Sequence, residues 1–383
     1  MGNRTVQSPP LKERKTLISI ARWKVLLGAA EQILKHMSAS SASSSSDKRF
    51  IDQWKSERLQ EWLKGIDGFV FDCDGVLWEG KVEIPNSGLF LHQVAALGKK
   101  VVFVTNNATK STTDFLEKMQ GFKMPLPPAQ SFMSSAVATG RYLKRKLNKG
   151  DKVYVVGDPG LHTTLREYGM TTVGADHGGL NFKDFASIPV EQLKSDRGYK
   201  AVVVSFDSNF NYFKLAYAAA LVRYHPGNLL FLATNRDQAS PLMPGILVPG
   251  GGSIVASVEV GAGQTPITLG KPSKNLAMEI VEMTKLNPSR MCMVGDRLNT
   301  DMLFGKSVGM QTLLVLSGTT TSNEAFNLSE DDPSRPDVIA SSLSNLIIHK
   351  KDSQESEDGG YEGDLSSGDT GDEGRQKRRK TEK

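Results

Sequence analysis

The sequence predicts an α/β fold: a doubly wound, Rossmann-like parallel sheet with helices on both faces, a large second α/β domain inserted into it, and disordered tails at both ends. Three observations carry this. Between roughly residues 50 and 348, short apolar runs alternate with helical patterns. About 160 residues separate Thr105 from Lys271, too many for a simple strand-to-strand crossover, and they hold strands and helices of their own. The composition also changes at each end of the chain.

Taken in order, residues 1–48 form an extension. Residues 11–36 mix basic and apolar side chains at roughly helical spacing, and a serine-rich run from Ser38 to Ser46 follows. This reads as a disordered extension with a marginal helix. An organelle transit peptide is the alternative reading, against which Glu13 and Glu31 count. Met1-Gly2 is not a myristoylation signal, because Val6 stands where Ser or Thr is needed.

The strands expected are Gly68–Phe71, Lys100–Thr105, Lys152–Gly157, Lys200–Phe206, Asn228–Ala233, Met291–Gly295 and Gln311–Leu316. Each is rich in Val, Ile, Leu or Phe and bounded by Gly, Asn, Asp or Pro. Amphipathic stretches such as Ser273–Thr284 lie between them, and Tyr212–Tyr224 reads as a helix within the insertion. Alternation of this kind predicts a parallel sheet buried on both faces. The domain limits expected are 49–127 and 238–349 for the two parts of the core and 128–237 for the insertion. Residues 350–383 are Gly, Ser, Asp and Glu with almost no apolar content, and cannot offset the entropy of ordering. They end in Lys377-Arg378-Arg379-Lys380, either a nuclear address or a solvated basic tail.

Composition narrows the function. No run reaches the ~18 apolar residues of a membrane span. The net charge of +5 is not gathered on one element of the core, so nucleic-acid binding is not favoured. Cys73 and Cys292 are too few and too distant for a disulfide framework or a zinc cluster; a reducing, cytoplasmic setting is the simplest reading. His162, His177 and His225 stand in no pattern that marks them out.

The chemistry gathers where expected strands end. The run Gly68-Phe-Val-Phe-Asp-Cys-Asp-Gly-Val-Leu-Trp78 carries a buried strand straight into Asp72 and Asp74. Residues i and i+2 of an extended chain share a face, and open parallel sheets bind ligands at their carboxyl ends. Two carboxylates so close repel unless a cation or proton lies between them. Alone, such a pair can be a turn in which each Asp caps backbone groups. Further segments repeat the pattern. Val101-Val-Phe-Val-Thr-Asn-Asn107 ends in Thr105, Asn106 and Asn107, short hydrogen-bonding side chains suited to phosphate oxygens. Leu269-Gly-Lys-Pro-Ser273 puts Lys271 in a tight turn before a helix, and Met291-Cys-Met-Val-Gly-Asp-Arg-Leu-Asn-Thr-Asp301 ends a strand in Asp296 with Asp301 five residues on. Packing does not explain buried strands that each deliver a carboxylate or hydroxyl to one edge.

With these residues in order, the chain resembles the haloacid dehalogenase superfamily of phosphatases. Asp72-Cys73-Asp74-Gly75 matches its first motif, Thr105 the second, Lys271 the third, and Gly295-Asp296 with Asp301 the fourth. Asp-Cys-Asp-Gly-Val-Leu-Trp, Val-Thr-Asn-Asn-Ala-Thr-Lys-Ser, Ala-Thr-Asn-Arg-Asp and Leu-Gly-Lys-Pro are similar to the phosphoglycolate / 4-nitrophenyl phosphatase branch, which includes pyridoxal phosphate phosphatases. The resemblance spans about residues 50–348; Asn299 and Ala239-Ser240 depart from residues often found in the branch.

The resemblance implies that the insertion is a cap over the site, that Mg2+ is the cofactor, and that Asp72, Asp296 and the main-chain carbonyl of Asp74 are its ligands. Asp72 is expected to attack phosphorus and form an aspartyl-phosphate. Asp74 is expected to protonate the leaving alcohol and then to take a proton from the hydrolytic water, which requires a raised pKa. Lys271 neutralises the nucleophile and a phosphate oxygen; Thr105, with Asn106, Asn107 or main-chain amides, binds the other oxygens; Asp301 orients the metal's waters or Lys271. The substrate class implied is a small phosphorylated metabolite, with 2-phosphoglycolate first and pyridoxal phosphate as the rival. Homodimers through the cap are common in the branch and are expected here. The reading from another class is a non-catalytic partner-binding protein on the same fold; loss of Asp72 or Asp74 would favour it, and both are present.

Overall fold

The computed structural model describes residues 47–195, 197–243 and 246–348. The expectations for residues 1–46 and 350–383, including the Lys377–Lys380 cluster, lie outside them. In chain order the strands are β1 (Gly68–Phe71), a short antiparallel hairpin of β2 (Trp78–Glu79) and β3 (Val82–Glu83), β4 (Lys100–Thr105) and β5 (Phe132–Ser134). Next come β6 (Lys152–Val156), β7 (Thr171–Val173), β8 (Tyr199–Val204), β9 (Leu230–Ala233), a second antiparallel pair β10 (Ala239–Met243) and β11 (Ile246–Pro249), and β12 (Ile267–Thr268). The last are β13 (Met291–Gly295), β14 (Gln311–Val315) and β15 (Val338–Ala340).

Six strands form one parallel sheet in the order β15-β14-β13-β1-β4-β5. Counting only its own strands, that order is 3-2-1-4-5-6 read from β5, the doubly wound arrangement in which the chain leaves β1 toward one edge and returns beside it as β13. A crevice therefore opens between the carboxyl ends of β1 and β13. Alternation along β1 decides which side chains face which helices. Phe69 and Phe71 share one face and continue a row of rings: Phe71 lies 6.0 Å from Phe103, and Phe103 lies 6.2 Å from Phe132. Phe90, on the helix Ser87–Ala96, meets Phe69 and Phe71 edge-on. On the other face, Val70, Val102, Val104 and Met293 pack against Leu276, Ala277 and Ile280 of the helix Lys274–Thr284. Each large side chain buried this fully contributes about 1.5–3 kcal/mol of hydrophobic stabilisation.

Five strands form the second parallel sheet, β12-β9-β8-β6-β7. One face packs Tyr154, Val202, Val204 and Phe231 on the helices Tyr212–Tyr224 and Gly251–Ala262. The other packs Val153, Val155, Ala201 and Val203 on Leu161 and Leu165. The helix Ser135–Lys146 serves both sheets: Val137 and Ala138 join the core of the first, Ala136 and Leu143 that of the second. Sheet membership changes at positions other than 128 and 237. β5 lies in the first sheet and β12 in the second. Neither has more than three residues, too few to display a period in the sequence. Among the described residues, no helix is long and apolar enough to cross a membrane.

Candidate active site

The loop after β1 begins with Asp72, whose N–H still donates to the Val294 carbonyl of β13 at 2.8 Å, so the ladder holds the carboxylate at the mouth of the crevice. Gly75 then turns the chain with φ +86°, and a Cβ there would stand 2.5 Å from Asp296 Oδ2. The Cys73 carbonyl accepts from the N–H groups of Leu77 and Trp78 at 2.9 and 3.3 Å, closing the turn. The Cys73 side chain is fully buried, and burial raises its thiol pKa well above the usual value. It is a core residue.

β13 delivers Asp296, and a π-helical turn, Leu298–Met302, folds Asp301 back toward it. Asp72, Asp296 and Asp301 can place one oxygen each within 4.8 Å of one another, and all three are buried. Their oxygens are used differently. Asp301 Oδ2 accepts the main-chain N–H of Asp296 at 3.2 Å and of Arg297 at 3.0 Å, and its Oδ1 lies 2.7 Å from Lys271 Nζ. Asp72 Oδ1 lies 2.7 Å from the same Lys271 Nζ, which also donates to the Val104 carbonyl at 3.2 Å. Asp296 Oδ2 accepts the Thr319 N–H at 2.6 Å, whereas Asp296 Oδ1 is buried without a partner.

Three buried carboxylates facing Lys271, with Arg297 as a second cation nearby, still leave an excess of negative charge. Burial pushes the Asp72 carboxyl well above the usual carboxylate range; Lys271 opposes this, and Asp301 and Asp296 add to it. Burial, then Asp301, pushes the Asp296 carboxyl up to about 6. Burial works against the charged form of Lys271, but Asp301 and Asp72 together outweigh it, and its pKa is raised. A hard cation with oxygen ligands fits this donor set: it would satisfy the orphaned Asp296 Oδ1 and relieve the repulsion. Asp301 Oδ2 is taken by two main-chain amides and its Oδ1, though without a hydrogen bond, pairs with Lys271, so Asp72 and Asp296 are the side chains better placed to hold such an ion.

Thr105 and Asn107 stand at the end of β4. Thr105 Oγ1 accepts the Asn107 N–H at 3.1 Å, which leaves its own O–H available to donate. Asn107 Oδ1 accepts from Thr109 N and Oγ1 at 3.0 and 2.7 Å, which turns its NH2 outward. Asn106 departs from the expectation of a substrate contact. Its amide is engaged at both ends by protein: Oδ1 accepts Lys271 N, and Nδ2 donates to the Lys271 carbonyl and to Asp237 Oδ1. Asp74 is not in the carboxylate group; its side chain, 35% exposed, turns its Oδ1 to the Trp78 Nε1–H at 2.9 Å.

Several residues of the site show no role in the sequence, although Asn235 and Asp237 lie in the Ala-Thr-Asn-Arg-Asp run that resembles the branch. Asp237 and Asn235 arrive from the loop after β9, where Asn235 Nδ2 donates to the Asn106 carbonyl at 2.8 Å and Asn235 Oδ1 accepts the Asp237 N–H at 3.1 Å. Burial raises the Asp237 carboxyl. Gly318 lies against the Asp296 carboxylate, where a Cβ would collide with it, and Ser317 Oγ donates to the Gly75 carbonyl at 2.8 Å. The rule that ligands bind beyond the carboxyl ends of parallel strands, applied to β14 and β9, is the signal that finds both loops.

The sequence profile described as haloacid dehalogenase-like hydrolase matches residues 69–171, and one described as HAD-hydrolase-like matches residues 268–346. Phosphoglycolate phosphatase 2 of Arabidopsis thaliana is 37% identical over 293 residues, covering 76% of this chain and 96% of the relative. Glycerol-3-phosphate phosphatase of Gallus gallus is 34% identical over 301 residues, covering 76% and 95%. Among solved structures, the p-nitrophenyl phosphatase from Archaeoglobus fulgidus superposes with a TM-score of 0.62 at 26% identity, over 73% of this chain and 98% of that one. The glycerol phosphate phosphatase from Mycobacterium tuberculosis in complex with magnesium superposes with a TM-score of 0.60 at 26% identity, over 74% and 77%.

Proposed function

This chain belongs to the haloacid dehalogenase-like hydrolases and is a phosphatase of that family, and from that premise we propose that it hydrolyses small phosphate monoesters in two steps, with Asp72 as the nucleophile and Mg2+ as the cofactor. One observation carries the proposal: Lys271 Nζ sits 2.7 Å from both Asp72 and Asp301 while Asp296 Oδ1, beside them, has no partner. Asp72, Asp296 and the main-chain carbonyl of Asp74 are the groups that would hold Mg2+, whose charge lets a dianionic phosphoryl group approach carboxylates. The solved relative with magnesium supports that choice of ion.

Asp72 attacks phosphorus and becomes an acyl phosphate as the bond to the leaving oxygen breaks. Lys271, kept charged by its two carboxylate partners, holds Asp72 and faces one phosphoryl oxygen. The Thr105 hydroxyl and the Asn107 amide donate to the others. Asp74 gives the leaving oxygen its proton and then takes one from the water that hydrolyses the intermediate. Asp301 acts through Lys271. Asn106 acts the same way and leaves the substrate to its neighbours. The inserted sheet covers the site and selects the leaving group; sheet membership supports limits of about 147 and 270 for it.

For the substrate, 2-phosphoglycolate comes first, on the strength of the 37%-identical relative, and glycerol phosphate second. Phe182 and Tyr212, 56% and 58% exposed on the second domain, support a homodimer through that domain. The deciding experiment measures phosphate release from 4-nitrophenyl phosphate with and without Mg2+, in the native protein and in Asp72→Asn. Turnover that needs the ion and disappears in a folded Asp72→Asn protein is the expected result. Retained turnover in that variant overturns the nucleophile. A panel of phosphorylated metabolites ranked by kcat/KM then decides the substrate.

A further inference from the structure

Asp74 is held from one side by two residues outside the four motifs. Trp78 begins the β2–β3 hairpin and is fully buried. Its main chain is tied to the same turn, with Gly75 N donating to the Trp78 carbonyl at 2.8 Å and a β-bridge between Asp74 and Trp78. Its ring is backed by Phe122, 6.0 Å away. The indole N–H therefore points from a fixed frame, and it donates to Asp74 Oδ1 at 2.9 Å. Lys118 approaches the same oxygen from the helix Thr112–Gly121, which is anchored by a capping box of Ser111 and Asp114. Its Nζ lies 4.0 Å from Asp74 Oδ1 and 4.2 Å from the centre of the Trp78 ring. A cation over an indole face and beside a carboxylate gains from both. Both groups meet Oδ1, and neither meets Oδ2.

We infer that Trp78 and Lys118 are positioning residues that fix Asp74 by its Oδ1, so that Oδ2 is the oxygen that exchanges the proton with the leaving group. This rests on the acid–base role proposed for Asp74. As the Asp72 oxygen bonds to phosphorus and the bond from phosphorus to the ester oxygen breaks, the proton on Asp74 Oδ2 passes to that oxygen and the alcohol departs. Asp74 is left as a carboxylate, which then receives the proton of the attacking water. A swinging carboxyl would sample this alignment only part of the time; one held at Oδ1 starts from it.

The test compares two leaving groups. An alkyl phosphate needs its leaving oxygen protonated, whereas 4-nitrophenolate departs without a proton. Trp78→Phe keeps the ring and removes the N–H; Lys118→Met keeps the stem and removes the charge. For each variant kcat/KM is measured on glycerol phosphate and on 4-nitrophenyl phosphate, beside Asp74→Asn. Asp74→Asn should lose at least about 10²-fold more on the alkyl ester than on the aryl ester. Trp78→Phe should show the same selective loss at about 10-fold, and Lys118→Met a smaller one in the same direction. Equal losses on both esters, or none, in Trp78→Phe and Lys118→Met overturn the inference while Asp74→Asn remains selective. If Asp74→Asn itself shows no selectivity, the acid–base role of Asp74 falls instead. The Lys118 side chain is 28% exposed, so Lys118→Met is expected to fold even if Trp78→Phe does not, and the comparison still returns an answer.

Discussion

The side-chain amide of Asn106 grips the main chain of Lys271 from both sides, accepting its N–H at 2.8 Å and donating to its carbonyl at 3.1 Å, across 165 positions of sequence. The same Nδ2 reaches Asp237 Oδ1 at 2.8 Å. The lysine that joins Asp72 to Asp301 is thus placed by its backbone as well as by its charge. Asn106→Ala leaves buried groups of Lys271 and Asp237 without partners and lets the lysine shift. Steady-state kinetics should show kcat lower by about 10²-fold with KM little changed. Asp237→Asn keeps an acceptor oxygen and should retain most activity; equal damage from the two variants would contradict this account.

Gly318 sets how closely the loop after β14 approaches Asp296. A Cβ there collides with the carboxylate that Thr319 N–H holds at 2.6 Å. Gly318→Ala should raise the Mg2+ concentration for half-maximal activity by about 10-fold or more. A magnesium titration with 4-nitrophenyl phosphate reads this directly, and an unchanged midpoint would count against Asp296 as a ligand.

Lys214 and Asp207 form an ion pair at 2.6 Å in the second domain, with both side chains 2% exposed. Replacing the lysine strands a buried carboxylate. Lys214→Met should lower unfolding free energy by about 3–5 kcal/mol. Adding Asp207→Asn, which keeps the oxygen that accepts the Asn209 N–H, should restore part of the loss. Urea denaturation of the two proteins tests the coupling; no restoration would mean that packing, not charge, dominates at Lys214.

His162 is 2% exposed and neither ring nitrogen has a partner. Burial, followed by Arg166 and Lys214, pushes its pKa down to about 4. The folded protein keeps this ring neutral, whereas the unfolded chain protonates it near pH 6.5. Stability supplied by the neutral ring is therefore whole above about pH 6.5 and declines as the pH falls toward 4. His162→Phe should lose less stability than the native protein between about pH 7.5 and about pH 5, by chemical denaturation at both values. Parallel losses would show that His162 does not titrate in this way.

Local pattern carried most of the fold. The strands Gly68–Phe71, Lys100–Thr105 and Met291–Gly295 lie where their apolar runs predict, because a strand buried on both faces must be apolar throughout. The short strands β5, β7, β12 and β15 escape such reading, since two or three residues show no period. At the site, Asp72, Thr105 and Asp296 could be found because each ends or directly follows a strand, and Lys271 because it lies in the turn just before a helix. Lys118 and Gly318 could not, and Trp78 and Asp237, though inside runs that resemble the branch, showed no role there, for all four matter through what they touch.

The amino-acid sequence by itself determined that acidic, hydroxyl and basic groups would gather at one edge of a parallel sheet, since strand ends and side-chain alternation are local properties of a few residues. Only the tertiary structure decided how each oxygen is used. Asp301 is consumed by Lys271 and two main-chain amides, Asp296 keeps one oxygen free, and Asn106 turns to Lys271. Hydrogen-bond capacity is allotted among neighbours in space, and here those neighbours come from segments that chain order keeps far apart.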